Sequence, residues 1–151
     1  MTETTEANLP SLEEVFESFE FLDDWEERYR YIIDLGRQLP AFEDVLKTPE
    51  HKVEGCVSQV WLIAYPDGEE AGRLHFRGDS DAHIVRGLIA ILLTAFSGKQ
   101  AEEIAAADGR ALFDKLGLGG HLSPSRSNGL FSMVQRIRTL AAAHVAEAPA
   151  S

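Results

Sequence analysis

The chain has 151 residues, enough for one domain with a real core, and its 44% apolar and 26% charged residues are ordinary globular values. Twenty-five acidic against fourteen basic residues give a net charge of −11, which disfavours non-specific binding to nucleic acid or acidic membranes, both polyanions. A single cysteine, Cys56, excludes an intramolecular disulfide scaffold and cannot by itself hold an iron–sulfur cluster, whose sites need several thiolate-type ligands.

The segments 1–10 and 146–151 read as loose ends of one domain spanning 1–151. The start, Met1-Thr2-Glu3-Thr4-Thr5-Glu6, lacks the positive charge and apolar stretch of a signal peptide. Ser11 followed by Glu14 reads as a capping box that opens a helix to about Phe21. Asp23 or Asp24 opens a second helix to about Leu39, ended by Pro40, with Trp25, Tyr29, Ile32, Ile33 and Gly36 facing inward. Trp25 and Tyr29 are read as core rather than as a ligand box.

From Val57 to Tyr65, β-branched and aromatic residues predict a strand. Both of its faces are partly apolar, Val57, Gln59, Trp61, Ile63 and Tyr65 on one and Ser58, Val60, Leu62 and Ala64 on the other, so helices should cover it. Pro66-Asp67-Gly68 turns the chain into a second, antiparallel strand from Arg73 to Gly78, and a short third strand is expected before Gly55. Ser80 or Asp81 caps the next helix. That helix carries Ile84, Val85, Leu88, Ile89, Ile91, Leu92 and Phe96, is apolar around most of its circumference, and should be the central buried helix, ending at Gly98. Its stretch from Ile84 to Phe96 is too short to span a bilayer and is interrupted by Arg86, so no membrane association is expected. Short helices near Ala101–Ala107 and Arg110–Leu116 precede the break Gly117-Leu118-Gly119-Gly120. A last helix runs from near Ser125 to about Val145, with Leu130, Met133, Val134, Ile137 and Leu140 inward. The fold class is α+β, a small antiparallel sheet of two to three strands covered by helices.

Cys56 lies between a polar loop and the apolar strand, behind Gly55, so the local reading is a sulfur presented on a turn, with a packed core cysteine as the alternative. A hydrolase would need a histidine base beside the sulfur, and none of His51, His75, His83, His121 and His144 falls in a protease-type signature. A zinc site combining Cys56 with His51, His75, His83 or His121 would lack the close ligand pairs that make metal spacing specific. An exposed thiol in a reducing cytoplasm, the expected location, is suited to exchange chemistry with another sulfur. Lys52, Arg77 and Arg126 are the candidate cations to favour its thiolate, and Glu54 opposes it.

Four blocks then resemble one family in its order. They are Trp25 to Gly36, the run Gly55-Cys56-Val57-Ser58-Gln59-Val60-Trp61, Gly78 to Ala82 with Ile84 to Leu88, and His121 to Leu130. Together they resemble the SufE family, the sulfur acceptors of cysteine desulfurases, over nearly all of Trp25 to Leu140. The resemblance implies a fold like that of the IscU scaffold proteins and a Cys56 that takes sulfur as a persulfide from a SufS-type desulfurase. It also implies that the sulfur passes on to a SufBCD-type scaffold. Pyridoxal phosphate belongs to the desulfurase, so no cofactor is expected here. Val57 departs from the polar residue that relatives often carry after the cysteine. The chain thus reads as a sulfur-transfer accessory protein rather than a stand-alone enzyme, with a purely allosteric regulator and a cysteine hydrolase as alternatives.

A carrier should shelter its persulfide, and Val57, Val60 and the helix Ile84 to Phe96 are expected to form the shelter, the loop swinging out on docking. Arg126 either caps a helix or pairs with Asp79 or Asp81, or else borders the cysteine loop and favours the sulfur anion. Asp79 and Asp81 suit caps and turns. Ser58 and Gln59 bond within the sheet or touch the desulfurase, and His51 is either a proton acceptor or a solvated side chain.

Overall fold

The computed structural model describes residues 9–56 and 58–147. The chain's local signals set its first helices. Ser11 Oγ accepts from the Glu14 amide while Glu14 Oε1 accepts from the Ser11 amide, both at 3.2 Å, and this capping box opens α1, Leu12–Phe21. Asp24 accepts from the Glu27 amide at 2.8 Å and opens α2, Trp25–Arg37, which stops ahead of Pro40. Ile32, Leu35 and Gly36 are its buried residues, so Leu35 joins the expected stripe, while Trp25, Tyr29 and Ile33 are half-buried.

The sheet has three antiparallel strands in the order β1-β2-β3: β1 Val60–Pro66, β2 Arg73–Ser80 and β3 Lys99–Gln100. The expected third strand before Gly55 is therefore corrected. That segment makes a single bridge, Lys52 to Trp61, with the Val53 amide donating to the Val60 carbonyl at 2.8 Å. The third strand forms instead beyond the central helix, where Gly98 at φ +85° turns the chain back along β2 and donates to the Leu74 carbonyl at 2.9 Å. Val57, the expected start of the first strand, lies outside the described residues. Ser58 and Gln59 precede the strand, which begins at Val60.

The helix α3, His83–Phe96, is the central buried element, with Leu88, Ile89, Leu92 and Leu93 no more than 1% exposed. Side chains of this size contribute about 1.5–3 kcal/mol each when fully buried. Neither Ser80 nor Asp81 caps it. Ala82 holds the N-cap position, because β2 continues through Ser80 and the Asp81 carboxylate is taken by the Gln59 amide at 3.0 Å. Gly36 and Gly87 let α2 and α3 cross with touching backbones, since a Cβ on Gly87 would lie 2.0 Å from the Ile32 carbonyl oxygen.

Two short helices follow, α4 Ala101–Ala105 and α5 Gly109–Leu116, the latter ended by Gly117 in the left-handed region. The long α6, Pro124–Glu147, lays Leu130, Met133, Val134 and Ile137 into the same buried cluster as α3, with Leu140 half-buried beside them. Of the segments expected to be loose, residues 1–8 and 148–151 lie outside the described residues. Leu9 is half-buried against the core, Pro10 is half-buried, and α6 includes Ala146. Among the described residues no helix is long and apolar enough to cross a membrane.

Candidate functional site

Cys56 sits on the loop that leads from a 3-10 turn at Pro49–His51 into β1. Both feet of that loop are tied down. Val53 bonds Val60, and Asp81 holds Gln59 twice, by its carboxylate and by its own amide donating to the Gln59 carbonyl at 3.3 Å. At the tip Gly55 has φ +89°, which favours glycine, and a Cβ there would lie 2.5 Å from Ser132 Oγ on α6, so a side chain would also have to displace that hydroxyl. Farther out, the Arg136 guanidinium on α6 donates to the Glu50 carbonyl. The loop is thus laid against α6.

The thiol is half-buried, and its Sγ lies 3.5 Å from the Gly129 carbonyl, to which S–H donates. Gly129 is buried inside α6, and a Cβ there would lie 3.5 Å from the sulfur, in ordinary contact, so the thiol rests over this residue with room for a methyl group between them. A pocket of about 250 Å³ opens beside the sulfur. Its apolar wall is Val60 from β1, Val85 and Leu88 from α3, and Met133 from α6. Its polar lip is Ser58, Ser123, Ser125 and Arg126. Burial pushes the thiol pKa up from its ordinary value and the nearby Glu54 carboxylate adds to this, so the docked sulfur rests protonated at neutral pH. The Arg126 guanidinium is exposed and forms no ion pair among the described residues; the Arg126 amide donates to Ser123 Oγ at 3.2 Å in the manner of the first turn of a capped helix.

Of the residues singled out from sequence, Cys56, Ser58 and Arg126 meet around this pocket. Gln59 stands just outside it and serves the loop through its backbone. Asp79 goes elsewhere, ion-paired to Arg86 at 3.0 Å and Lys47 at 3.4 Å rather than to Arg126. His51 is fixed on the approach to the loop, its Nδ1 2.8 Å from the Leu46 carbonyl and 3.3 Å from Thr48 Oγ1. Among the other candidate cations, Arg77 is paired with Glu43 at 2.9 Å and donates to the Ala41 carbonyl, and Lys52 makes the bridge to Trp61. Among the described residues no histidine lines the pocket, and no three His, Cys, Asp or Glu side chains converge as metal ligands would. The expected wall residue Val57 lies outside the described residues, whereas Val60 and two residues of α3 are in the wall. The sequence places Ser123, Ser125 and Gly129 in the block His121 to Leu130 and Met133 inward on the last helix, but assigns none of them a part in the site. The available signal was a glycine in the middle of a helical pattern, which marks a close approach by another part of the chain.

A family model described as "SufE: Fe-S metabolism associated domain" matches residues 13–141. A SufE-like protein of Rhizobium etli is 56% identical over 131 residues, covering 86% of this chain and 88% of the relative. One from Rhizobium meliloti is 52% identical over 132 residues, covering 87% and 94%. Among solved structures, the solution structure of a hypothetical protein from Thermus thermophilus superposes with a TM-score of 0.73 at 18% identity. That likeness spans 92% of this chain and 98% of the other and speaks to the fold.

Proposed function

The chain belongs to the SufE family, whose domain is associated with iron–sulfur metabolism, and from that premise we propose that Cys56 is a sulfur acceptor for a SufS-type cysteine desulfurase. The observation that carries the reading is the seat of Cys56. The chain's one cysteine stands at the mouth of a part-apolar pocket, against a glycine, with a guanidinium on the rim that has no ion-pair partner among the described residues. A thiol placed only to pack would need neither the space nor the cation.

The transfer is a thiol exchange. Cys56 loses its proton, and its thiolate attacks the terminal sulfur of the desulfurase persulfide. A new sulfur–sulfur bond forms on Cys56, the donor's sulfur–sulfur bond breaks, and the donor leaves as thiolate; no net oxidation occurs. Because the docked thiol is held protonated by burial and Glu54, attack requires the loop to lift from α6 or an outside cation to meet it. After transfer, re-docking puts the outer sulfur in the pocket, where Val60, Val85, Leu88 and Met133 restrict access by reductants. Arg126 stabilises a sulfur anion from the lip. The sulfur then passes to a SufBCD-type assembly scaffold in a reducing cytoplasm, and pyridoxal phosphate stays with the desulfurase.

The test is mass spectrometry of the full chain after incubation with a SufS-type desulfurase, cysteine and pyridoxal phosphate. A gain of sulfur confined to Cys56, with desulfurase stimulation lost in Cys56→Ser, is expected. An unmodified thiol beside normal stimulation by Cys56→Ser would sink the reading in favour of an allosteric regulator.

A further inference from the structure

The lip that carries Arg126 is held lightly. In the first turn of α6, Pro124, Ser125, Arg126 and Asn128 are all exposed and Ser127 is half-buried, its amide donating to the Ser123 carbonyl at 2.9 Å, so no apolar side chain anchors the turn before Gly129. Upstream lies the stretch Gly117 to Gly120, where a side chain at Gly119 or Gly120 would meet nothing within 4 Å. Left alone, such a helix start frays.

Leu118 is buried in the core and Leu122 packs against it, and between them the connection is gripped at His121. The His121 ring stacks on the Trp25 indole with centroids 3.9 Å apart and planes 15° from parallel. The Tyr29 hydroxyl, one turn farther along α2, donates to the His121 carbonyl. Trp25 is itself immobilised. It meets Phe19 edge-on at 5.9 Å, and the Arg28 guanidinium lies 5.0 Å from its ring while donating to the Phe19 and Leu22 carbonyls. Two residues after His121, Ser123 Oγ receives the Arg126 amide. A chain of contacts therefore runs from the α1–α2 aromatic cluster to the start of α6.

We propose that Trp25, Tyr29 and His121 are positioning residues, a clamp that fixes the first turn of α6 so that Arg126 stays at the mouth of the Cys56 pocket. The inference rests on the sulfur-acceptor reading only for the purpose of the pocket; the placement of Arg126 is tested without any sulfur donor.

The probe is alkylation of Cys56 in the full chain by iodoacetate and by iodoacetamide, an anionic and a neutral reagent of the same reactivity class. The ratio of the two rates reports the cation at the mouth and cancels general changes in thiol exposure. One charge within about 4–8 Å in water changes such a ratio about two- to fivefold. Arg126→Gln should lower the ratio by that factor. His121→Ala should lower it nearly as much, Tyr29→Phe partly, and the double variant His121→Ala with Arg126→Gln no further than Arg126→Gln alone. His121→Phe keeps the stacked ring and the backbone carbonyl and should restore the native ratio. If His121→Ala fails to fold by circular dichroism, Tyr29→Phe and His121→Phe carry the test. An unchanged ratio in Arg126→Gln, an unchanged ratio in both clamp variants, or a loss in His121→Phe equal to that in His121→Ala would overturn the proposal. None of these outcomes bears on whether Cys56 accepts sulfur.

Discussion

Replacing Gly129 by alanine and by leucine should push the protein in opposite directions. An alanine Cβ would sit 3.5 Å from Cys56 Sγ and 3.8 Å from the cysteine Cα and Cβ, ordinary contact distances that require no movement. Gly129 lies within α6 and outside the positive-φ region, so the substitution carries no backbone strain. It should gain the helix-interior advantage of alanine over glycine, about 0.5–1 kcal/mol, or about 2–4 °C in Tm at the upper figure for a chain of this size. The thiol should remain docked.

Leucine is different because its branch carbons continue from Cβ into the gap that Sγ fills. The loop must lift, losing the S–H bond to the Gly129 carbonyl, and overpacking of this kind costs about 1–3 kcal/mol. Burial is the first cause of the raised thiol pKa, so a lifted thiol should titrate lower. The assay is the pH profile of iodoacetamide alkylation, read beside urea denaturation. Gly129→Leu should move the profile's midpoint down and raise the rate at neutral pH, while Gly129→Ala leaves the midpoint in place. A leucine variant with native midpoint and rate, or an alanine variant that loses stability, would refute the account of the docked sulfur.

Cys56→Ser should also change the alkaline limb of stability. Its folded pKa is raised, so the thiol's contribution is complete below the unfolded value of about 8.5 and is lost as pH rises through the folded value. Urea midpoints of the native protein should therefore fall above that pH more steeply than those of the serine variant. Asp67 behaves with the opposite sign. The Glu70 amide, then His75 and the Glu69 amide, hold its carboxyl below the usual range, so its contribution is present above about 4 and fades as pH falls below that. The stability difference between native protein and Asp67→Asn should shrink through the same acid range; a difference that stays constant with pH would count against it. Gly87→Ala should destabilise by about 1–3 kcal/mol or more, because its Cβ would meet the Ile32 carbonyl of α2, and a urea midpoint equal to the native one would contradict the close crossing.

What the sequence discloses is whatever a few adjacent residues decide together. Ser11 with Glu14 and Asp24 with the Glu27 amide are caps closed within one turn, and they stand where their spacing puts them. The cap at α3 escapes such reading because Asp81 satisfies the local rule, while its carboxylate answers to Gln59, 22 residues away. The third strand escapes it because Lys99–Gln100 is too short and polar to show any alternation, and is made a strand only by its neighbour. The sulfur site belongs to this second kind. Cys56 announces itself as a lone thiol, yet its partner Gly129 is 73 residues on and carries no side chain to advertise a role.

That division has a consequence for how the site works. The pocket wall comes from β1, α3 and α6, all parts of one buried cluster, whereas the sulfur comes from a loop fastened at its feet by Val53 and Asp81. Motion that exposes the sulfur can therefore leave the core undisturbed, and among the described residues it gives up the S–H bond to the Gly129 carbonyl and the partial burial of the thiol. On the sulfur-acceptor reading proposed above, a docking partner would populate the lifted loop in proportion to its differential affinity for it. On that same reading, the ties would return the sulfur to its seat, so that a rigid wall and a short tethered loop would suit delivery on contact and shelter between contacts.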